Sequence, residues 1–211
     1  MEPAKAYVFD MDGTIVDNCA YHVKAWREFS RRCGNELTER QILDWMGAQG
    51  AYYIEKIFGR VLPKDEVDRL CFEKEKLYRE IYKPSMPEGL AELLDGARAN
   101  GTRLAMATGG PRENVDFILD SLGLRGRFAA IVDSTMYVRS KPAPDCFLAA
   151  AKMLGVAPAD CLVFEDALNG IGAAKAAGMK VYAVTFTMPR ERLAEAKPDL
   201  IFDSYLELAK P

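Results

Sequence analysis

Residues 7–17 read YVFDMDGTIVD. Tyr7, Val8 and Phe9 form an apolar run that suits a buried strand, yet the run ends at once in Asp10 and, two residues on, in Asp12. Gly13 and Thr14 follow, and a further acid stands at Asp17. A buried strand aimed at paired carboxylates needs a reason, because buried charge is unfavourable without a partner.

Further short apolar runs read as buried strands: Leu104–Ala107, Ala130–Val132, Leu162–Phe164, Val181–Val184 and Leu200–Phe202. Their continuous apolar character suits parallel strands covered on both faces. Amphipathic segments near 112–122, 144–154, 168–177 and 189–196 lie between them. Several end in glycine before the next strand, as in LGL at 122–124, LGV at 154–156 and AGM at 177–179. Helix, glycine cap, then strand is the grammar of an α/β fold.

The first interval breaks that rhythm. The next strand after Phe9 begins only at Leu104, and most of the gap has helical spacing. AYHVKAWREFSRRCG places Val23, Trp26 and Phe29 on one face, and KDEVDRLCFEKEKLYREIY reads as a long charged helix. The prolines of KPSMPEG mark a boundary. The expected organisation is a core of residues 1–17 and 84–211 with a helical insertion, or cap, over 18–83. Ligands of open parallel sheets bind beyond the carboxyl ends of the strands, so a module inserted there can act as a lid.

Composition narrows the function. The 211 residues include 49% hydrophobic and 28% charged residues, the balance of a folded chain rather than a disordered one. A formal net charge of -3 gives no electrostatic case for nucleic acid or an anionic membrane, and no run approaches membrane-spanning length. The five cysteines form no C-x-x-C pair and read as reduced thiols in a cytoplasmic setting. MEPAKAYVFD lacks the features of a signal peptide. The single histidine, His22, excludes sites needing two histidines from one chain, and no G-x-S-x-G accompanies it.

Four strand ends carry the remaining chemistry. The first gives Asp10 and Asp12, and LAMATGG ends in Thr108, Gly109 and Gly110. RSKPAPD after the third strand carries Lys141, and LVFEDALNG ends in Glu165 and Asp166. In a parallel sheet all four converge on one edge. Clustered carboxylates repel unless a cation joins them, and hard oxygen ligands favour Mg2+ over zinc. Asp10 can then attack phosphorus, while Asp12 serves the leaving oxygen and the attacking water. Thr108 and the amides of Gly109 and Gly110 can hold phosphoryl oxygens, and Lys141 adds positive charge to the transition state.

DMDGTIVD, ATGG, SKPAPD and FEDALNG, in this order, resemble the four motifs of the haloacid dehalogenase-like hydrolases across the whole chain. The insertion resembles the small cap of the subgroup containing β-phosphoglucomutase, sugar-phosphate phosphatases and phosphoglycolate phosphatases. The resemblance implies a Rossmann-like three-layer core, Mg2+, and Asp10 as nucleophile. It also implies a metal held by Asp10, the Asp12 backbone carbonyl, Asp166 and Glu165. The second aspartate, missing from the dehalogenases of the superfamily, favours phosphate chemistry.

Within the subgroup, His22 falls where the mutase has a sugar-facing histidine, and Lys74 near a cap lysine. Gly50 stands roughly where the mutase has its phosphate-clamping arginine, and GGPREN follows the second motif, offering Arg112 as a substitute. A mutase must hold a bisphosphate by both ends, and losing a bidentate arginine removes a strong clamp. The expectation is a monomeric phosphatase acting on a small phosphorylated metabolite. A β-phosphoglucomutase is the alternative, followed by a pyrophosphatase or a phosphonate hydrolase using Lys24 or Lys74. A non-enzymatic phospho-receiver is disfavoured by Asp12, which serves turnover rather than storage.

Simpler roles compete at several positions. Thr108 could be a helix N-cap. His22 could be a satisfied structural histidine, and Lys74 lies in a charge-rich helix whose default is a solvated face. Trp26 and Trp45 read as packing residues of the insertion, and specificity is expected from loops around Ala48–Tyr53 and Lys74. GIGAAKAAG at 170–178 lacks the third glycine of a dinucleotide loop and follows an acidic strand end.

Overall fold

The computed structural model describes residues 4–45 and 49–208. They divide into two compact units, one of Met1–Asp17 with Pro84–Pro211 and the other of Asn18–Lys83. The first is an α/β unit and the second is helical.

The α/β unit is built on six strands: β1 (Ala6–Phe9), β2 (Arg103–Ala107), β3 (Ala130–Val132), β4 (Cys161–Glu165), β5 (Lys180–Val184) and β6 (Leu200–Phe202). They form one sheet in the order β3-β2-β1-β4-β5-β6, and every pairing is parallel. All four residues of β1 and all five of β4 are buried, as parallel strands covered on both faces require. The two faces differ in side-chain size. Ala6, Val8, Ala105, Ala107, Val163 and Ala183 share one buried cluster. Tyr7, Phe9 and Phe164 alternate onto the other face, where Phe9 stacks on Phe164 with ring centres 4.4 Å apart.

Numbered along the whole chain, the helical unit holds α1 (Cys19–Arg32), α2 (Glu39–Asp44), α3 (Gly50–Phe58) and α4 (Lys64–Ile81). The α/β unit continues with α5 (Leu90–Ala99), α6 (Arg112–Ser121), α7 (Asp145–Leu154), α8 (Leu168–Ala176) and α9 (Arg190–Glu195). The expected strands and helices agree with these within a residue or two at each end. Helix α5 lies outside the segments singled out by periodicity, although Leu90, Leu93, Leu94 and Ala97 have helical spacing and are all buried. The small-residue face receives α7 and α8, whose Cys146, Phe147, Ala150, Ile171 and Ala174 join its cluster. Short side chains there let the helices approach closely.

The helical unit has its own core, in which Val23, Trp26, Phe29, Ile42, Tyr53 and Ile54 pack together. Trp26 stacks on Tyr53 with centroids 4.3 Å apart, and Trp45 packs edge-on against the same tyrosine. Both tryptophans are therefore engaged in packing. Thr38 and Gln41 form a reciprocal capping box that starts α2. One expectation is corrected: residues 50–53 are the first turn of α3 rather than a loop, while Ala48 lies outside the described residues. A second correction concerns Lys74. It is only 2% exposed on the inward face of α4, because the stripe Leu70, Lys74, Leu77 and Tyr78 is buried together.

Candidate active site

In the strand order observed, connections leave β1 in one direction and β4 in the other. The crevice between neighbouring strands at such a reversal is where open α/β sheets bind ligands. Register places the site there. Phe9 pairs with Phe164, so Asp10 and Glu165 are the next residues on adjacent strands. On the other side Phe9 pairs with Met106, which brings Thr108 to the same edge.

Asp10, Glu165 and Asp166 form a buried cluster in which one carboxylate oxygen from each lies within 4.8 Å of the others. Lys141 donates to Asp10 Oδ1 at 2.5 Å and to Glu165 Oε1 at 2.7 Å. Glu165 Oε2 accepts the backbone N–H groups of Asp166 and Ala167 at 2.7 and 2.9 Å. Glu165 thus ties Lys141 to the loop that follows β4. Asp166 is held by Thr14, whose Oγ1 donates to Oδ1 at 3.3 Å, and by the hydroxyl of Thr187.

Electrostatics make this cluster incomplete on its own. Burial pushes the Asp10 carboxyl up to about 8, with Glu165 and Asp12 adding to the rise and Lys141 opposing it. Burial also raises Asp166 well above the carboxylate range, reinforced by Glu165 and Asp10. For Lys141 burial alone would favour the neutral amine, but Asp10 and Glu165 overcome it and hold the ammonium well above its ordinary value. Were all three carboxylates ionised, the single ammonium would leave excess negative charge, and the upward shifts of Asp10 and Asp166 are the response to it. An all-oxygen donor set with that excess fits a hard divalent cation.

Backbone geometry builds the close approach. Gly13 has φ 76, and a Cβ there would fall 2.1 Å from Asp166 Oδ2 and 2.3 Å from Thr187 Oγ1. Gly170 on α8 is packed against Glu165, where an added Cβ would fall 1.6 Å from Oε1. The first glycine of GIGAAKAAG, in the first turn of α8, thus makes room for an acid.

The remaining residues expected in the site are placed as follows. A Cβ on Gly110 would lie 3.3 Å from Thr108 Oγ1 and 3.5 Å from Asp12 Oδ2, so these two groups flank it. Thr108 Oγ1 accepts the Gly110 N–H at 2.9 Å, while α6 begins after Pro111 with no side-chain cap. Thr108 is therefore a turn residue beside Asp12 and not the N-cap of α6. Gly109 lies near the Tyr137 hydroxyl, which donates to the Thr108 carbonyl at 3.2 Å. Arg112 is exposed and paired with Asp116 on its own helix at 3.0 Å.

His22 and Lys74 lie together in the helical unit, with His22 Nδ1 2.9 Å from Lys74 Nζ. Lys74 also donates to Glu75 at 2.8 Å and sits 4.8 Å from the centre of the Trp26 ring. His22 stacks on Tyr78, which accepts a bond from Asn18 at 2.6 Å. Thr14, Thr187, Tyr205 and Glu75 were not anticipated as functional. Thr14 sits inside the quoted acidic stretch, but Thr187 and Tyr205 carry no local signal in the sequence.

The fold, the motif order and this cluster agree with comparison to known proteins. The family model for haloacid dehalogenase-like hydrolase matches residues 4–178, and the chain belongs to that family of enzymes. It is 34% identical to beta-phosphoglucomutase of Bacillus subtilis, covering 83% of this chain and 80% of that protein. It is 36% identical to fructose-1-phosphate phosphatase YqaB of Escherichia coli, covering 82% of this chain and 92% of that protein. It is also 36% identical to the chloroplastic protein Suppressor of quenching 1 of Arabidopsis thaliana over 94% of this chain, but spans only 19% of that longer protein. Among solved structures, a family IA hydrolase from Entamoeba histolytica superposes with a TM-score of 0.91 at 27% identity, covering 96% of this chain and 94% of that one. No helix among the described residues is long and apolar enough to cross a membrane.

Proposed function

We propose that this enzyme is a Mg2+-dependent phosphatase that hydrolyses a small phosphorylated metabolite, a sugar phosphate, through a phosphoryl group carried on Asp10. The observation that carries the reading is the Lys141–Asp10–Glu165–Asp166 cluster at the sheet's switch point. Support for the substrate class comes from relatives named for sugar-phosphate chemistry.

Asp10 and Asp166, with the backbone carbonyl of Asp12, would hold the cation. When bound, it would neutralise charge on the phosphoryl oxygens and on the carboxylates. Glu165 is already committed to Lys141 and two backbone amides, so its part is to position the ammonium. Asp10 attacks phosphorus while Asp12 protonates the departing oxygen of the sugar. Asp12, now a carboxylate, takes a proton from water as that water attacks phosphorus and frees Asp10. Lys141 and the hydroxyl of Thr108 stabilise charge on the transferring group. The Gly109 amide joins them, whereas the Gly110 amide is occupied by Thr108.

Residues 18–83 are read as the specificity cap, with His22 and Lys74 as its polar contacts to the sugar. Release of phosphate to water is favoured over mutase chemistry by Gly50. A Cβ at that position would fall 2.7 Å from Cys71 Sγ, so packing fills the place where a clamping arginine would begin. Arg112 is paired with Asp116 and is a poor substitute.

The test is phosphate release with Mg2+ across hexose 1- and 6-phosphates, 6-phosphogluconate, phosphoglycolate, β-glucose 1-phosphate and pyrophosphate. Release from one or a few sugar phosphates supports the reading. Conversion of β-glucose 1-phosphate to glucose 6-phosphate without release would replace it with the mutase.

A further inference from the structure

Tyr205 is the first residue of a short 3-10 turn, Tyr205–Glu207, close to the end of the described chain. It is 0% exposed, and its hydroxyl donates to the backbone carbonyl of Thr14 at 3.1 Å. Thr14, also fully buried, turns its own hydroxyl onto Asp166 Oδ1 at 3.3 Å. A continuous path thus runs from the C-terminal turn, through the loop after β1, to the carboxylate assigned to the cation.

The far end of this path is itself held. Ser204 accepts the Leu206 N–H at 3.3 Å, and Glu207 Oε1 accepts the N–H groups of Asp203 and Ser204 at 2.9 and 3.0 Å. The turn packs closely on Gly89, where a Cβ would fall 2.5 Å from the Leu206 nitrogen. Phe164 and Phe202 flank the phenol ring, with centroids 6.1 and 5.1 Å away. A phenylalanine at 205 would fill the same apolar space and lose only the bond to Thr14.

We infer that Tyr205 is a positioning residue that fixes the Thr14 turn and, through it, the orientation of Asp166 toward its cation. The inference rests on the proposed cation site. Groups that orient metal ligands from outside the site set affinity as well as rate, commonly by about 10–100-fold. Buried polar networks of this kind also behave as units, so losing one link undoes the next.

The experiment measures Mn2+ binding to the resting full-length protein by electron paramagnetic resonance of free Mn2+, without substrate. It compares wild type, Tyr205→Phe, Thr14→Val, the double variant, Asp166→Asn and Leu193→Ala. Leu193 is a fully buried residue of α9 outside the site and controls for general destabilisation. Tyr205→Phe should weaken Mn2+ binding by about tenfold and lower kcat while KM is unchanged. The double variant should lose less than the sum of the single losses. Leu193→Ala should bind Mn2+ as wild type does despite a lower melting temperature. Wild-type Mn2+ affinity in Tyr205→Phe, alongside a clear loss in Asp166→Asn, overturns the inference and leaves the cation site standing. No Mn2+ binding by wild type overturns both.

Discussion

The ammonium of Lys141 lies 2.5 Å from Asp10 Oδ1. A cation held that close to the proposed nucleophile must release it when phosphorus arrives and then follow the phosphoryl oxygens. Lys141→Met should therefore lower kcat by about 10²–10³, the usual scale for losing one preorganised donor. Steady-state kinetics at saturating Mg2+ would read this. Lys141→Arg should not restore the rate, because a longer, planar guanidinium does not fit the buried space that a compact ammonium fills between Asp10 and Glu165. Full activity in Lys141→Met would contradict the role.

Metal-free protein should lose stability as pH rises. The folded state holds the Asp10 proton up to about 8, whereas the unfolded chain releases it near the ordinary 3.8. Between those values the native state binds more protons, so stability is greatest on the acid side of the window and falls through it. Melting temperature in chelator should drop by several degrees from about pH 5 to about pH 8, since ~1 kcal/mol moves a chain of this size by ~2–4 °C. Asp10→Asn and added Mg2+ should each flatten the slope. An equally steep slope in Asp10→Asn would assign the effect elsewhere.

Gly170→Ala tests the packing that fixes Glu165. The new methyl would fall within 1.6 Å of Oε1, so either the carboxylate or α8 must move. Overpacking of this kind costs about 1–3 kcal/mol. Lys141 would lose one of its two partners, and activity should fall more than stability accounts for. Equal kcat in a thermally matched comparison would show that Glu165 has freedom to move.

Lys74→Met separates a substrate contact from a packing role. The ammonium is buried against Glu75, His22 and Trp26, so some stability will be lost when Glu75 loses its partner. The cap reading predicts in addition a KM for the sugar phosphate raised about tenfold or more, the worth of a charged hydrogen bond. Mn2+ affinity in the core should be unchanged. A lower melting temperature with unaltered KM would make Lys74 structural.

The sheet was legible because each strand is built on a short apolar run, and several of these runs follow a glycine-capped helix or end in an acid. Asp10, Thr108, Glu165 and Asp166 were legible for the same reason, since they stand where strand character stops, whereas Lys141 lies in the loop between β3 and α7 and stood out only within SKPAPD. The burial of Lys74 was hidden by its charged neighbours in FEKEKLY, since composition does not show which face of α4 turns inward. Thr187 and Tyr205 were hidden more deeply. Their roles come from long-range contacts, 191 residues apart in the bond from Tyr205 to Thr14, and no local pattern encodes such a meeting.

The central claim is that Asp10 carries the phosphoryl group. The direct measurement mixes substrate with an Asp12→Ala variant in Mg2+, quenches in acid and maps the peptide containing residues 7–17 by mass spectrometry. The account predicts one hydroxylamine-labile phosphoryl group on Asp10, accumulating because the Asp12 carboxylate that takes the proton from the attacking water is gone, and none in the Asp10→Asn control. Continued hydrolysis by Asp10→Asn, with no phosphorylated peptide in either protein, would contradict it.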